Sequence, residues 1–253
     1  MEKTTWTKFQ KSRDKFRDIT ETLAKSIPRL KYYQQNLADN RSEDKNSAYK
    51  VETPVVYNKA LDEITANDEI KLIFVADNPG RREQAAENRR YLVGPSGKIA
   101  EKFFRDNPAL GIDFRRNVII LNKTPIHTAR TTELRSLCNS EIETGANSIF
   151  TGIIESQRLM AHLLFEFHEA LNVPVWITGY SEMKKGGIFE VYTETIKKLY
   201  LSKPDMLERL FIYRHFSMNQ FTIDLKQQTL PGENVKKTLN RIGAAYRKRI
   251  LGC

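Results

Sequence analysis

The chain has 253 residues, 40% of them hydrophobic, which is enough for a substantial core in one domain or two. Its 41 Lys and Arg residues against 31 Asp and Glu residues give a net charge of +10, which attracts polyanions such as nucleic acid or an anionic membrane surface. Two cysteines exclude a disulfide framework and a four-cysteine metal or iron–sulfur site. The sequence has neither an apolar run of roughly 18 residues nor an apolar signal core, so no membrane partner and a cytoplasmic location are predicted.

The first 55 residues predict a helix and a polar linker that are appended to a domain formed by residues 56–253. Apolar side chains recur at helical spacing among charged ones over residues 4–27, and Pro28 is expected to end this helix. Residues 34–54 are polar and aperiodic, which indicates a surface loop or linker.

The rest of the chain alternates apolar strands with amphipathic helices. Strands are predicted at residues 70–76, 117–122, 173–179 and 207–213. Helices are predicted at residues 56–66, 96–105, 148–170, 188–200 and, with a basic outer surface, 235–250. Joined by right-handed crossovers, these elements predict an α/β fold, a three-layer α/β/α sandwich with a central four-stranded parallel sheet.

Polar residues stand at the carboxyl ends of the predicted strands, the edge where open α/β sheets bind ligands. They are Asp77, Asn78, Asn122, Thr178 and His215. The chain contains no Gly-x-Gly-x-x-Gly or Walker sequence, which disfavours a nucleotide-binding enzyme. A carboxylate, two amides and an imidazole suit recognition of the edge of a flat heterocycle, although such residues are also typical of turns.

Four short motifs resemble those of a known family, the uracil-DNA glycosylase superfamily, in the same order along the chain. They lie at residues 76–80 (ADNPG), 91–97 (YLVGPSG), 119–122 (IILN) and 215–217 (HFS), and their layout is most similar to the thermophile-type branch. The resemblance implies a monomeric hydrolase that flips uracil, or a related deaminated base, out of single- or double-stranded DNA and hydrolyses its N-glycosidic bond in base-excision repair. It implies no metal and no organic cofactor, and two cysteines cannot supply the iron–sulfur cluster of that branch.

The resemblance assigns catalytic roles to Asp77, Asn78 and His215. The first two stand where relatives carry the residue that positions or activates water. Only Asp77 could accept a proton, whereas Asn78 could orient water through hydrogen bonds. His215 would donate a hydrogen bond to O2 of the base as negative charge develops there.

Base binding is assigned, on the same resemblance, to Gly80, Tyr91, Leu92 and Asn122. Asn122 would read the pyrimidine edge by donating to O4 and accepting from N3. Leu92 stands where the branch stacks a Phe on the base, and Tyr91 is the alternative stacking residue.

Contacts with DNA are assigned to Arg81, Arg82, Ser96, Ser217 and Met218. The two arginines would bind phosphates, and Met218 would fill the stack that the flipped base leaves. Phe221 is interpreted either as a second wedge or as a core residue.

Two residues depart from the family pattern. Leu92 offers no π-face to a base, and Phe216 replaces the usual proline of the His-Pro-Ser motif, which leaves the loop around His215 less constrained. A non-catalytic nucleic-acid-binding protein on the same fold is therefore the alternative function. The other histidines, His127, His162 and His168, are expected to be structural.

Overall fold

A computed structural model of the chain describes residues 1–40, 48–140 and 148–252. Four parallel strands form one sheet in the order β2-β1-β3-β4. Their bounds are β1 (Leu72–Ala76), β2 (Val118–Asn122), β3 (Val175–Thr178) and β4 (Leu210–Tyr213). Helices flank the sheet, so the predicted three-layer α/β/α fold with a four-stranded parallel sheet is confirmed.

Helices fill the segments between and around the strands. Their bounds are α1 (Lys3–Ser26), α2 (Leu30–Asp39), α3 (Pro95–Asp106), α4 (Glu133–Cys138), α5 (Ile149–Leu171), α6 (Glu190–Leu201), α7 (Pro204–Glu208), α8 (Gln220–Gln228) and α9 (Val235–Leu251). Within the described part of the chain, no helix combines the length and the apolar composition needed to cross a membrane.

The strands are buried because both of their faces are covered, which explains their continuous apolar sequences. Aromatic side chains of α3 and α8 pack on the sheet, where Phe104 stacks on Trp176 with ring centroids 5.4 Å apart and Phe221 contacts Tyr213 at 5.4 Å. Helix α9 packs along β4, while α5 packs against both α6 and α1.

Helix α1 is part of this core and not an appendage to it. Phe9 and Phe16 are fully buried; Phe9 contacts Phe167 of α5, and Phe16 contacts Tyr57 with ring centroids 5.1 Å apart. The helical periodicity of residues 4–27 predicts an apolar face but not its partner, which is why the sequence alone suggested a separate element.

Three other segments differ from the sequence prediction. The predicted linker at 34–54 is helical up to Asp39, and its residues 41–47 lie outside the described part of the chain. The predicted helix at 56–66 is reduced to a 3-10 turn at Lys59–Glu63. The predicted fourth strand begins three residues late because Pro204 starts a short helix, in keeping with the preference of proline for the first helical turn.

Candidate active site

The carboxyl ends of the strands open into a cleft of about 780 Å³. All the residues predicted to be catalytic or to contact DNA line it, as do two predicted base-binding residues: Asp77, Asn78, Gly80, Arg81, Arg82, Leu92, Ser96, His215, Ser217 and Met218. Tyr91 and Asn122 do not line the cleft, because both are buried in the core. Thr178 is buried as well, and its hydroxyl donates to the Val75 carbonyl.

Asp77 is bound by a lysine that the sequence did not single out. Lys123 is fully buried, and its Nζ donates to Asp77 Oδ1 and to the Thr178 carbonyl, each at 2.5 Å. The second oxygen of Asp77, Oδ2, accepts from the Thr131 hydroxyl at 3.3 Å. Burial lowers the pKa of Lys123, and the Asp77 carboxylate acts in the opposite direction. Both carboxylate oxygens of Asp77 thus already accept hydrogen bonds from protein side chains.

Gly179 makes room for this ion pair. Its φ of +82° lies in the left-handed region, and a Cβ at this position would lie 2.4 Å from Asp77 Oδ1. Glycine is required here both for its backbone conformation and for the close approach of the carboxylate.

Asn78 is held differently. Its Nδ2 donates to the Thr128 hydroxyl at 2.8 Å and to the Thr128 carbonyl at 3.1 Å, which fixes the orientation of the amide. No described residue donates a hydrogen bond to Asn78 Oδ1. Since the residue lines the cleft, this oxygen can accept a hydrogen bond from a water molecule there.

His215 is held in one neutral tautomer. The Ser217 backbone N–H donates to Nδ1 at 2.9 Å, so the neutral ring carries its proton on Nε2. Burial lowers the pKa of His215; the Asp77 carboxylate opposes this shift and Lys123 reinforces it. The ring therefore offers an N–H donor rather than a full positive charge.

Phe216 anchors the loop that carries His215. It is buried and stacks on Phe221, with ring centroids 4.1 Å apart, and it also contacts Phe74 and Phe103. Packing thus supplies the constraint that a proline would supply in the His-Pro-Ser motif. Phe221 lies in the core and is not a wedge.

Met218 projects from the rim of the cleft. Its side chain is 77% exposed, and Met218 and Asn219 both have positive φ angles, 51° and 55°. Two consecutive left-handed residues other than glycine are strained, and such strain tends to lie at functional sites. The loop is held by hydrogen bonds from the Asn219 N–H to the Phe216 carbonyl and from the Phe221 N–H to the His215 carbonyl.

The Leu92 loop forms a wall of the cleft. Leu92 has a φ of 54°, and Arg115 Nη2 donates to its carbonyl at 2.9 Å. A Cβ on Gly97 would lie only 1.5 Å from the same carbonyl oxygen, so helix α3 needs glycine at this position to pack against the loop. Tyr91 points into the core and donates its hydroxyl hydrogen to the Val56 carbonyl at 2.5 Å, so it is not in place to stack on a base in the cleft.

Asn122 has a buried amide without partners. The residue is fully buried at the end of β2, beside Ala76 of β1. Neither Nδ2 nor Oδ1 of Asn122 has a partner in hydrogen-bond geometry among the described residues. The Tyr91 hydroxyl gives its hydrogen to Val56, which leaves its oxygen as a nearby acceptor, and Asn122 opposes the rise that burial causes in the Tyr91 pKa. A buried polar group left unpaired costs about 1–3 kcal/mol, so such an amide suggests a place for a ligand.

Glu83 is a further cleft residue that sequence reasoning missed. It is only 6% exposed and accepts a hydrogen bond from the Gly80 N–H at 3.1 Å. Burial raises the pKa of Glu83 to about 7, although the backbone N–H groups of Gly80, Leu92 and Gly94 and the Arg115 guanidinium lower it. In the sequence it stands inside a charged loop, and no local signal distinguishes it from an exposed glutamate.

No family model matches the chain, and no curated protein matches its sequence. Membership of the uracil-DNA glycosylase superfamily stays a prediction, and the function has to be argued from the cleft itself. Among the described residues, no group of three or more His, Cys, Asp or Glu side chains could hold a metal ion.

Proposed function

We propose that the protein is a DNA glycosylase that hydrolyses the N-glycosidic bond of uracil, or of a related deaminated base, flipped out of DNA. The observation that carries the proposal is the Asn122 amide, which is buried at the ligand edge of the sheet with its donor and acceptor both unpaired. The edge of uracil offers the complementary pair, the O4 acceptor and the N3 donor.

In the proposed reaction the bond between C1′ and N1 breaks, its electron pair stays with the base, and negative charge develops on O2. His215 donates its Nε2 hydrogen to O2, because Nδ1 already accepts from Ser217. A water adds its hydroxyl to C1′, and the proton that the water loses neutralises the departing base anion.

The water is assigned to Asn78 rather than to Asp77. Asn78 lines the cleft and its Oδ1 accepts no hydrogen bond from the described residues, whereas both oxygens of Asp77 accept hydrogen bonds, from Lys123 and Thr131. Asp77, whose charge is paired with Lys123, supports this side of the cleft. The reaction therefore needs no proton transfer to Asp77.

A second candidate is a nucleic-acid-binding protein without catalysis. It is favoured by the full burial of Asn122, because a base can reach the amide only if the wall of the cleft moves. Leu92 also gives this wall an apolar surface without a π-face.

Release of free uracil from single- and double-stranded oligonucleotides with one uracil tests both candidates. We expect release by the wild type and a loss of about 100-fold or more in Asn122→Ala and in His215→Ala. Asn139→Ala and His162→Ala are matched controls, because both residues are exposed and lie outside the cleft. Absence of uracil release by the wild type from either substrate at any pH contradicts the glycosylase, and salt-dependent binding of undamaged DNA without abasic product supports the second candidate.

A further inference from the structure

Glu83 is a buried carboxyl group on the cleft that the proposed reaction does not use. Within the described ranges no Lys or Arg forms an ion pair with it. Its surroundings are instead backbone N–H groups from two separate turns, those of Gly80 on one side and of Leu92 and Gly94 on the other. We call Glu83 and these three N–H groups the Glu83 bridge.

The bridge joins two sides of the cleft that are far apart in sequence. Gly80 ends the turn that carries Asp77 and Asn78, while Leu92 forms the apolar wall and Gly94 immediately precedes helix α3. A Cβ on Gly94 would lie 4.0 Å from Glu83 Oε1, which places the carboxylate directly against this second turn.

Leu92 needs such support because its backbone is strained. A left-handed conformation costs about 1–2 kcal/mol for a residue other than glycine. Arg115 fixes the Leu92 carbonyl, and the Glu83 carboxylate faces the N–H group of the same residue. Arg115 thus fixes one end of the strained residue, and the Glu83 carboxylate lies near the other.

We propose that Glu83 is a positioning residue, which sets the distance between the side of the cleft that carries the water at Asn78 and the wall at Leu92 against which a flipped base packs. The positioning of base and water rests on the proposed glycosylase function, whereas the contacts of Glu83 that form the bridge do not. An ionised carboxylate attracts three N–H groups more strongly than a neutral carboxyl group does. The bridge is therefore tighter when Glu83 is ionised.

Two other ionisable side chains influence the charged state of the bridge. Arg115 favours ionisation of Glu83, and Tyr91, whose pKa is raised by burial and by Glu83, interacts with it as well. Because the pKa of Glu83 is raised to about 7, the bridge changes its charge within the range in which enzyme assays are usually run.

Hydrogen exchange of the Gly80, Leu92 and Gly94 amides in the full chain tests the structural part. We expect exchange in Glu83→Ala to be about tenfold faster at pH 8, after correction for intrinsic rates, because hydrogen bonds to a charged acceptor are lost. Glu83→Gln should exchange at an intermediate rate that does not differ between pH 5.5 and pH 8. Glu87→Gln is the matched control, since Glu87 is an exposed glutamate of the same loop.

Kinetics of uracil release test the positioning role. We expect kcat to fall about tenfold in Glu83→Ala with KM nearly unchanged, and the wild-type rate to rise with pH near pH 7, a limb that Glu83→Gln lacks. Unchanged exchange of the Leu92 and Gly94 amides in folded Glu83→Ala overturns the bridge, even if the wild type releases uracil. A wild type that releases no uracil overturns the glycosylase, and the exchange rates then still decide whether the bridge exists.

Discussion

Two buried polar side chains lie at neighbouring strand ends, one directly after β1 and one at the end of β2, and their surroundings are opposite. Asp77 has hydrogen bonds to both carboxylate oxygens, from Lys123 and Thr131. Asn122 has no partner for either atom of its amide among the described residues. A polar group with all its partners holds a structure in place, whereas a buried group without partners costs stability and is retained for another reason. The comparison separates the residue that supports the cleft from the residue that we propose reads a base.

The largest effect is expected from removing the partner of Asp77. Lys123→Met leaves the Asp77 carboxylate buried without a counter-charge, and breaking a buried ion pair in this way costs about 3–5 kcal/mol. The free energy of unfolding in urea measures it. Lys185→Met, at an exposed lysine, should change that free energy by no more than about 0.5 kcal/mol. Equal losses in the two variants would show that the ion pair does not support the fold.

A pair of asparagines sharpens the same comparison. Asn58 is as buried as Asn122 but has partners: its Nδ2 donates to the Ile120 carbonyl at 2.9 Å, and its Oδ1 accepts from the Tyr91 N–H at 3.2 Å. Asn58→Leu should lower the free energy of unfolding by about 2–3 kcal/mol, because these backbone groups lose their partners.

Asn122→Leu should behave in the opposite way. Leucine has a similar shape and removes an unpaired amide, so stability should stay the same or rise by about 1 kcal/mol, while uracil release is abolished. Urea unfolding and the release assay on the same preparation check the two results. A loss of stability as large as that of Asn58→Leu would contradict an unpaired amide.

The sheet and the position of the cleft could be predicted from the sequence for a simple reason. Apolar runs such as residues 70–76 are typical of strands that are covered on both faces, and parallel strands bring their carboxyl ends to one edge. Local sequence therefore placed Asp77, Asn78 and His215 on one cleft.

The support of the cleft could not be predicted, because it depends on contacts between segments that are distant in sequence. Lys123 follows a strand like an ordinary surface lysine, and its burial is made possible by Asp77, the Thr178 carbonyl and the ring of Phe189 at 4.8 Å. Helix α2 was not predicted for the same reason. Its polar residue Gln34 is buried, and its side-chain amide donates a hydrogen bond to the His127 carbonyl, which is distant in sequence.

Glu83 makes a smaller contribution to the free energy of unfolding, and this contribution depends on pH. A folded-state pKa of about 7, above the ordinary 4.5, means that Glu83 contributes stability at low pH and loses it as pH rises through this range. Between pH 5 and pH 7 the loss is about 2 kcal/mol. The contribution of His168 to stability changes with pH in the opposite direction, since burial lowers its pKa to about 4.

Glu83→Gln isolates this contribution, because glutamine does not titrate. The free energy of unfolding of the variant, minus that of the wild type, should rise by about 2 kcal/mol from pH 5 to pH 7. The His168 contribution cancels in this difference. A difference that is constant across the range would show that Glu83 does not titrate there.

The smallest effect is expected from an exposed residue at the rim of the cleft, and it concerns the salt dependence of DNA binding. Arg82 lines the cleft, is exposed, and forms no ion pair within the described ranges, so it is available to a DNA phosphate. In Arg82→Ala, the slope of log binding constant against log salt concentration should become less steep by about 0.9 for duplex DNA, or by about 0.7 for a single strand, because one fewer counterion is released. Lys198→Ala is the control, since this exposed lysine lies in the last turn of α6, which returns to the opposite edge of the sheet. Equal slopes for the wild type and Arg82→Ala would place the DNA elsewhere on the protein and would remove the rim from the proposed site.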